Sequence, residues 1–409
     1  MPAKRLKNFS ESVIREQTRL SNLHGAVNLA QGFPDFPCDP ALKTLATQAI
    51  EKDFNQYSIT WGMASLRQAL ALKYKKYNGI VADADRNITV TCGATEAMIC
   101  AFLANLDPGK EVIFFQPFYE NYHPDAYLSG AKPVYITLRE PDWSIDEKEL
   151  KRAFGPKTAA IIINTPHNPT GKVFSRAELE LISKLAQKYN ALVFSDEIYE
   201  HILYDGVKHI SPASIPGLED RTITIGSASK TYGITGWRVG WAVAHEKLTD
   251  GFRRVHDFMT VCAATPLQEA VRGALAFGPE YYSDLSLHYL QRRNFLVQGL
   301  ESAGFQCHIP QGAYYVMVDV ADWIKGTSKK GAIKNLSDKN LFQNDSEMAR
   351  YLVEKIKVAT VPGSSFYRSK VQGLKRDSVD HKLRFCFCKK EETLALAIER
   401  MKNFTAGKK

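Results

Sequence analysis

AAIIINTPHNPTGKVFSRAELELISKLAQKYNALVFSDE, residues 159–197, is the stretch that decides the fold. It opens on AAIIIN (159–164) and closes on ALVFSDE (191–197), two short apolar runs rich in β-branched residues. Between them, Ser175 and Glu178 have the spacing of a capping box, and an i, i+3, i+4 apolar pattern follows, predicting a helix over 175–190. Neither run alternates polar with apolar, as strands buried on both faces do not. Working outward, ITVT (88–91), EVIFF (111–115), PVYITL (133–138), TITIGS (222–227) and WRVGWAVA (237–244) repeat the theme, several with amphipathic helices between them. The expectation is an α/β domain with a mainly parallel sheet built from these runs.

Beyond residue 245 the pattern changes. Long helical patterns fill 245–303, followed by FQCHI (305–309), AYYVMVDV (313–320), the helix SEMARYLVEKI, the strand KLRFCFC (382–388) and a last helix. This reads as a smaller α+β domain. The expected division is an N-terminal segment, 1–45, packing with the small domain; a large domain, 46–290; and a small domain, 291–409. A chain of 409 residues is long enough for two cores.

Charge and cysteine usage narrow the function. Lys and Arg number 53 against 44 Asp and Glu, a net charge of +9. The excess is diffuse, and its densest stretch, Lys325 to Lys339, alternates with Gly, Ser and Asn as a solvated loop does. No nucleic-acid partner is expected. Seven cysteines lack C-x-x-C spacing, so free thiols in a reducing compartment are expected and a metal is not. The first twenty residues lack an apolar core and no stretch reaches membrane-span length, so the expectation is a cytoplasmic protein without membrane contact. There is no P-loop and no G-x-G-x-x-G.

In such sheets ligands bind beyond the carboxyl ends of the strands. Gly93-Ala94-Thr95, Asn168, Asp196 and Lys230 all follow or close a strand. A lysine at the end of an apolar strand is costly unless paired or covalently modified. Ser227, three residues earlier, and Arg238, eight later, could face one anion with it; a surface lysine in a Ser-rich turn is the alternative. Asp196, at the base of a pocket, could hold a pyridine nitrogen protonated, with Tyr199 one helical turn on; a helix cap and a core tyrosine would look the same. Asn168 sits in the rigid NTPHNPTG turn (164–171), which is otherwise mere punctuation. Gly93-Ala94-Thr95 opens a helix and could offer backbone N–H groups to a phosphate. Tyr119 could stack on a planar ring or belong to the core.

Taken in order, NLAQGFPDF (28–36), NQYSITWG (55–62), CGATEAM (92–98), NTPHNPTG (164–171), SDEIYE (195–200), SASKTYGITGWRVG (227–240) and LRFCFC (383–388) resemble the class I aminotransferases of the fold-type I pyridoxal-5′-phosphate (PLP) family, in the kynurenine/glutamine/methionine aminotransferase branch. The resemblance implies a mainly parallel, mixed seven-stranded sheet, and that Lys230 forms the Schiff base with PLP and later moves the proton between Cα and C4′. It implies that Asp196 keeps the pyridine nitrogen protonated, that Asn168 and Tyr199 bond O3′, and that Tyr119 stacks on the ring. Gly93, Ala94, Thr95, Ser227 and Arg238 would hold the phosphate, and Arg384 would bind the substrate carboxylate as a fork, with Gly32 offering a backbone N–H to it. Tyr57 is expected to reach the neighbouring subunit's phosphate, which implies a homodimer with shared active sites. The substrates implied are an amino acid and a 2-oxo acid, with hydrophobic, aromatic or sulfur-containing side chains favoured. Where this branch often has an aromatic residue or histidine, Val261 and Cys262 stand; Trp61 and Phe33 are candidate pocket walls, and no second arginine that would select an acidic side chain is apparent. The alternatives are a PLP carbon–sulfur β-lyase on the same fold and, more remotely, a non-catalytic aminotransferase-like sensor domain.

Overall fold

The computed structural model describes residues 3, 6, 11–324, 342–368 and 380–407; the lysine-rich stretch from Lys325 to Lys339 lies outside the described residues. The strands, in chain order, are β1 (Val27–Asn28), β2 (Ile88–Thr91), β3 (Glu111–Gln116), β4 (Lys132–Thr137), β5 (Thr158–Asn164), β6 (Leu192–Asp196), β7 (Thr222–Ser227), β8 (Gly240–Ala244), β9 (Gln306–His308), β10 (Tyr315–Asp319), β11 (Val358–Ala359), β12 (Val361–Pro362) and β13 (Lys382–Cys386).

All seven expected strands join one seven-stranded sheet in the order β2-β8-β7-β6-β5-β3-β4. From β7 to β4 the pairs are parallel, while β8 runs antiparallel to both its neighbours. The sheet is therefore mixed and seven-stranded, as the fold-type I resemblance implies. One strand is shorter than its apolar run: WRVGWAVA pairs only over Gly240–Ala244, because Arg238 takes a left-handed φ of 58° that a strand does not accommodate.

The deciding unit forms as its pattern requires. The helix Arg176–Tyr189 starts on Ser175 with a complete capping box and ends on Asn190 in the left-handed conformation. Its Leu179, Ile182, Leu185 and Ala186 bury against Ile161, Ile163 and Val193 of β5 and β6. Each large side chain so buried contributes roughly 1.5–3 kcal/mol. The opposite face of the sheet is covered by Ala97, Ala101 and Phe102 of the helix Ala94–Asn105, which pack with Phe114, Phe194 and Ile225. Both faces of the central strands are thus closed to water, and only their ends are free to build a site.

A four-stranded sheet, β12-β13-β10-β9, carries the C-terminal part, with antiparallel pairing throughout. β1 pairs in parallel with β11, and Leu29 shares a core with Tyr315, Phe385 and Phe387, so the N-terminal segment packs against C-terminal elements. The helix Pro279–Ser302 runs continuously through residue 290. SEMARYLVEKI splits into an α-helix, Asp345–Tyr351, and a π-helical turn, Leu352–Ile356. No described helix is long and apolar enough to cross a membrane.

Candidate active site

The carboxyl ends of β5, β6 and β7 open onto a cavity of about 430 Å³. Gly32, Ala94, Thr95, Tyr119, Asn168, Asp196, Tyr199, Ser227, Lys230, Arg238 and Arg384 all line it. They come from segments more than 350 residues apart, since the Arg384 guanidinium donates to the Ala30 carbonyl at |i−j| = 354.

Asp196 closes β6 and is buried. Burial pushes its carboxyl up to about 6, against a 2.6 Å hydrogen bond donated by Tyr122 that stabilises the carboxylate. Lys230 follows β7 in the short helix Ala228–Thr231. Its amine donates to the Gly32 carbonyl at 3.3 Å, a long bond, and lies 5.9 Å from the Tyr199 ring centroid. Loss of water around it lowers its pKa to about 8, with Arg238 and Arg384 adding repulsion against the attraction of Asp196. An amine so placed is neutral often enough near pH 8 to act as nucleophile or base.

At one end of the cavity the turn Gly93-Ala94-Thr95 begins the twelve-residue helix Ala94–Asn105. Gly93 has φ 83°, and a Cβ there would stand 2.3 Å from an Arg238 nitrogen. The start of β8 is just as close: a Cβ on Gly240 would lie 2.5 Å from the Ala94 nitrogen. Two glycines therefore let a guanidinium, free helix N–H groups and the Ser227 hydroxyl crowd into one spot. That is a cradle for a doubly charged anion.

At the other end Arg384 is fully buried. It donates to Asn168 Oδ1 at 2.7 Å and to Ala30 O at 2.6 Å, and stacks 4.2 Å from the Tyr315 ring. Its Nε has no partner among the described residues. An arginine buried without a carboxylate is left short of the anion it was desolvated for. Asn168 is itself fixed by the Asn164 side chain, which accepts from the Asn168 backbone N–H at 2.7 Å.

A pyridoxal phosphate molecule fits this donor set. The Gly93–Arg238 cradle suits its phosphate, Asp196 its ring nitrogen, Lys230 its aldehyde, and the orphaned Nε of Arg384 an incoming carboxylate. Tyr199 hydrogen-bonds Tyr315 at 3.0 Å, which points its hydroxyl toward the same cavity.

Some expected residues stand elsewhere. Gly93 forms the cradle from behind the cavity wall. Tyr57 is 81% exposed on the single chain and Phe258 is 91% exposed. Val261, at φ 66°, is also on the surface, and Cys262 is half-buried beside Cys92. Phe33 lines the cavity, whereas Trp61 stacks under Arg253 at 4.7 Å instead. Gly32 presents its carbonyl, which accepts from Lys230 and from Tyr314 at 2.8 Å. Glu197, Glu200 and His209 lie within ligand distance of one another. Their oxygens already accept from Ser195, Ser211, His209, Asn78 and Lys73, a network that anchors the end of β6.

Among the cavity residues that the sequence did not single out, Tyr122, Tyr315 and Arg15 matter most to its chemistry. Tyr122 lies three residues after Tyr119, a spacing that puts both phenols on one side, but nothing local pairs it with Asp196. Tyr315 sits in an apolar strand that reads as core. Arg15 lines the cavity from the helix Val13–His24, whose sequence looks like any amphipathic surface helix.

Comparison with known proteins agrees with this geometry. Residues 25–401 match the family described as aminotransferase class I and II. The kynurenine–oxoglutarate transaminase 1 of Mus musculus is 36% identical, the match covering 98% of this chain and 97% of that one. The structure of N-succinyldiaminopimelate aminotransferase from Mycobacterium tuberculosis superposes with a TM-score of 0.90 at 35% identity, covering 99% of this chain and 100% of that chain. YbdL from Escherichia coli, identified with a methionine aminotransferase function, gives 0.88 at 32% identity over 98% and 99% of the two chains. With the fold, the cavity and the match all in register, the chain belongs to the class I and II aminotransferases, a family whose cofactor is pyridoxal phosphate.

Proposed function

We infer that the protein moves an amino group reversibly between L-amino acids and 2-oxo acids, favouring hydrophobic, aromatic or sulfur-containing side chains. The observation that carries this is the meeting, in one cavity, of a lysine at pKa about 8 with no ion-pair partner among the described residues, a buried aspartate and a buried arginine with an orphaned nitrogen. The bound cofactor supplies an electron sink for the bond broken at the substrate Cα. The chain supplies the rest. Arg384 binds the α-carboxylate through its fork and Asn168 holds that fork in plane. Asp196 retains a proton at the ring nitrogen, and Tyr122 keeps Asp196 ionised for the purpose. The Lys230 amine would take the proton from the substrate Cα and deliver it two atoms away, on the far side of the transferred nitrogen. Buried walls exclude water, which limits hydrolysis.

The same reading includes a cytoplasmic homodimer. Tyr57, Ile59, Phe258, Met259 and Val261 form an exposed apolar set, and Thr265 ties the two segments together through a 2.7 Å bond to the Gln56 carbonyl. Such a patch suits burial by a second copy, with Tyr57 reaching the partner's phosphate cradle. The division into 1–45, 46–290 and 291–409 is also part of the proposal, supported by the β1–β11 pairing. The test is product analysis with a panel of amino acids and a 2-oxo acid acceptor. Stoichiometric formation of a new amino acid supports transfer; pyruvate, ammonia and a thiol from sulfur amino acids, without transfer, would make it a β-lyase.

A further inference from the structure

The catalytic cavity has a neighbour that none of the roles above uses. A second cavity of about 440 Å³ shares Ser12, Arg15, Glu120, Asn121 and Asp125 with it, so the two meet along one wall. Arg15 stands on that wall. It is held there from both sides: its backbone N–H donates to the Ser12 hydroxyl, Ser12 in turn bonds Glu120, and Ile14 packs into a core with Ala30 and Phe366. Among the described residues its guanidinium has no carboxylate partner, because Glu11 is paired with Arg19 at 3.2 Å and Glu120 is engaged by Ser12. Tyr119 lines the catalytic cavity together with Arg15 and Arg384.

Asp125, one turn beyond Tyr122, belongs to the same wall. It is buried and its Oδ2 has no partner among the described residues. Burial pushes its carboxyl up to about 8, so at neutral pH it is an uncharged acid able to donate a hydrogen bond. The ring of His123 is kept neutral by burial and by Arg368, its pKa lowered to about 3. The remaining charges facing this space are Arg15 and Arg368 against Glu11 and Glu120. Glu11 is tied to Arg19 and Glu120 accepts from Ser12, so among the described residues the exposed Arg15 is a cation without a carboxylate partner, next to a neutral acid on the same wall. A carboxylate placed between Arg15 and Asp125 would meet two donors.

We propose that Arg15, with Asp125 on the same wall, forms a subsite for the far end of long substrates: the apolar preference given above holds for side chains that stay within the main cavity, and among those long enough to enter the side cavity a terminal carboxylate is selected. Arg384 takes the α-carboxylate; Arg15 takes the second, carried past the shared wall into the side cavity. This rests on the transaminase reading above for its turnover arm only.

The experiment uses the cofactor-loaded protein and pairs of equal length: 2-aminopimelate against 2-aminoheptanoate, and glutamate against norvaline. Wild type should favour 2-aminopimelate over 2-aminoheptanoate by about tenfold or more in kcat/KM, by a wider margin than it favours glutamate over norvaline. Arg15→Gln should abolish that preference through KM with kcat nearly unchanged, and Arg15→Lys should restore part of it. In calorimetry, pimelate itself should bind wild type about tenfold more tightly than Arg15→Gln. Equal treatment of the two seven-carbon acids by wild type, or equal slowing of both in Arg15→Gln, would overturn the proposal. If no amino acid is turned over, the transaminase reading fails, and the pimelate calorimetry still decides the subsite: equal affinities in wild type and variant refute it.

Discussion

Tyr122 donates a 2.6 Å hydrogen bond to Asp196 from a helix 74 residues earlier in the chain. The bond couples the floor of the cavity to its wall. It also offsets part of the burial that pushes Asp196 up to about 6. Without it the carboxylate loses its one side-chain donor.

Tyr122→Phe is therefore expected to raise the Asp196 pKa further. A hydrogen bond to a charged group contributes roughly 1.5–3 kcal/mol, so cofactor affinity should fall by about tenfold or more. The sign follows from the raised carboxyl: ring-nitrogen protonation needs ionised Asp196, so the acid limb of cofactor binding should move to higher pH. A spectroscopic PLP titration between pH 5 and 8 checks this, and an unmoved acid limb would speak against the role given to Tyr122.

Lys230 sets a second pH dependence. Its folded pKa, about 8, lies below its ordinary value of 10.5, so the unfolded chain holds the proton more tightly. Its contribution to stability is unfavourable below about pH 8 and is relieved as pH rises from about 8 toward 10.5. The kinetic counterpart is sharper. The rate at which cofactor-free protein captures PLP should climb with pH, reach half its plateau near pH 8 and level off about a unit or more above it, as the neutral amine accumulates. Stopped-flow absorbance would follow it; a rate still rising at pH 10 would mean an amine with an ordinary pKa.

Arg384→Lys keeps the charge and loses the fork. Because the guanidinium spans Asn168 and Ala30, lysine cannot reach both. KM for the amino donor should rise by about tenfold to a hundredfold, with the cofactor retained. Loss of the cofactor instead would place Arg384 in the wrong role.

Gly93→Ala tests the phosphate cradle. The added methyl would collide with Arg238 at a φ of 83°. The expectation is a folded protein, unchanged in circular dichroism, whose PLP affinity falls by about tenfold or more while free pyridoxal binds as before. Equal loss for both vitamers would move the phosphate elsewhere.

Phe258→Asp addresses the exposed apolar set. A charge in place of a 91% exposed phenylalanine leaves the single chain intact but opposes burial against a copy. Sedimentation should show a dimer for wild type and a monomer for the variant, with weaker cofactor retention. A variant that sediments like wild type would remove Phe258 from the interface.

How much of this could be read from the sequence depends on how local each signal is. β5, β6 and the helix between them were legible because period, capping box and left-handed Asn190 all lie within forty residues. Asp196, Lys230 and Arg384 stood out because a charge in an apolar run is costly without a purpose. Arg15, Tyr122 and Tyr315 did not, since each is ordinary in its own segment and acquires a role only from residues brought up by the fold. The end of WRVGWAVA was over-extended for the same reason. Apolarity marks burial there, but the left-handed Arg238, turned toward the cradle, breaks the strand.

The central claim is that Lys230 is the amine that holds the cofactor, and one measurement reaches it most directly. The protein is loaded with PLP, reduced with borohydride, digested and mapped by mass spectrometry. The account predicts a phosphopyridoxyl group on Lys230, and none on the Lys230→Ala variant treated alike. A label on another lysine in the wild type, with Lys230 unmodified, would contradict it.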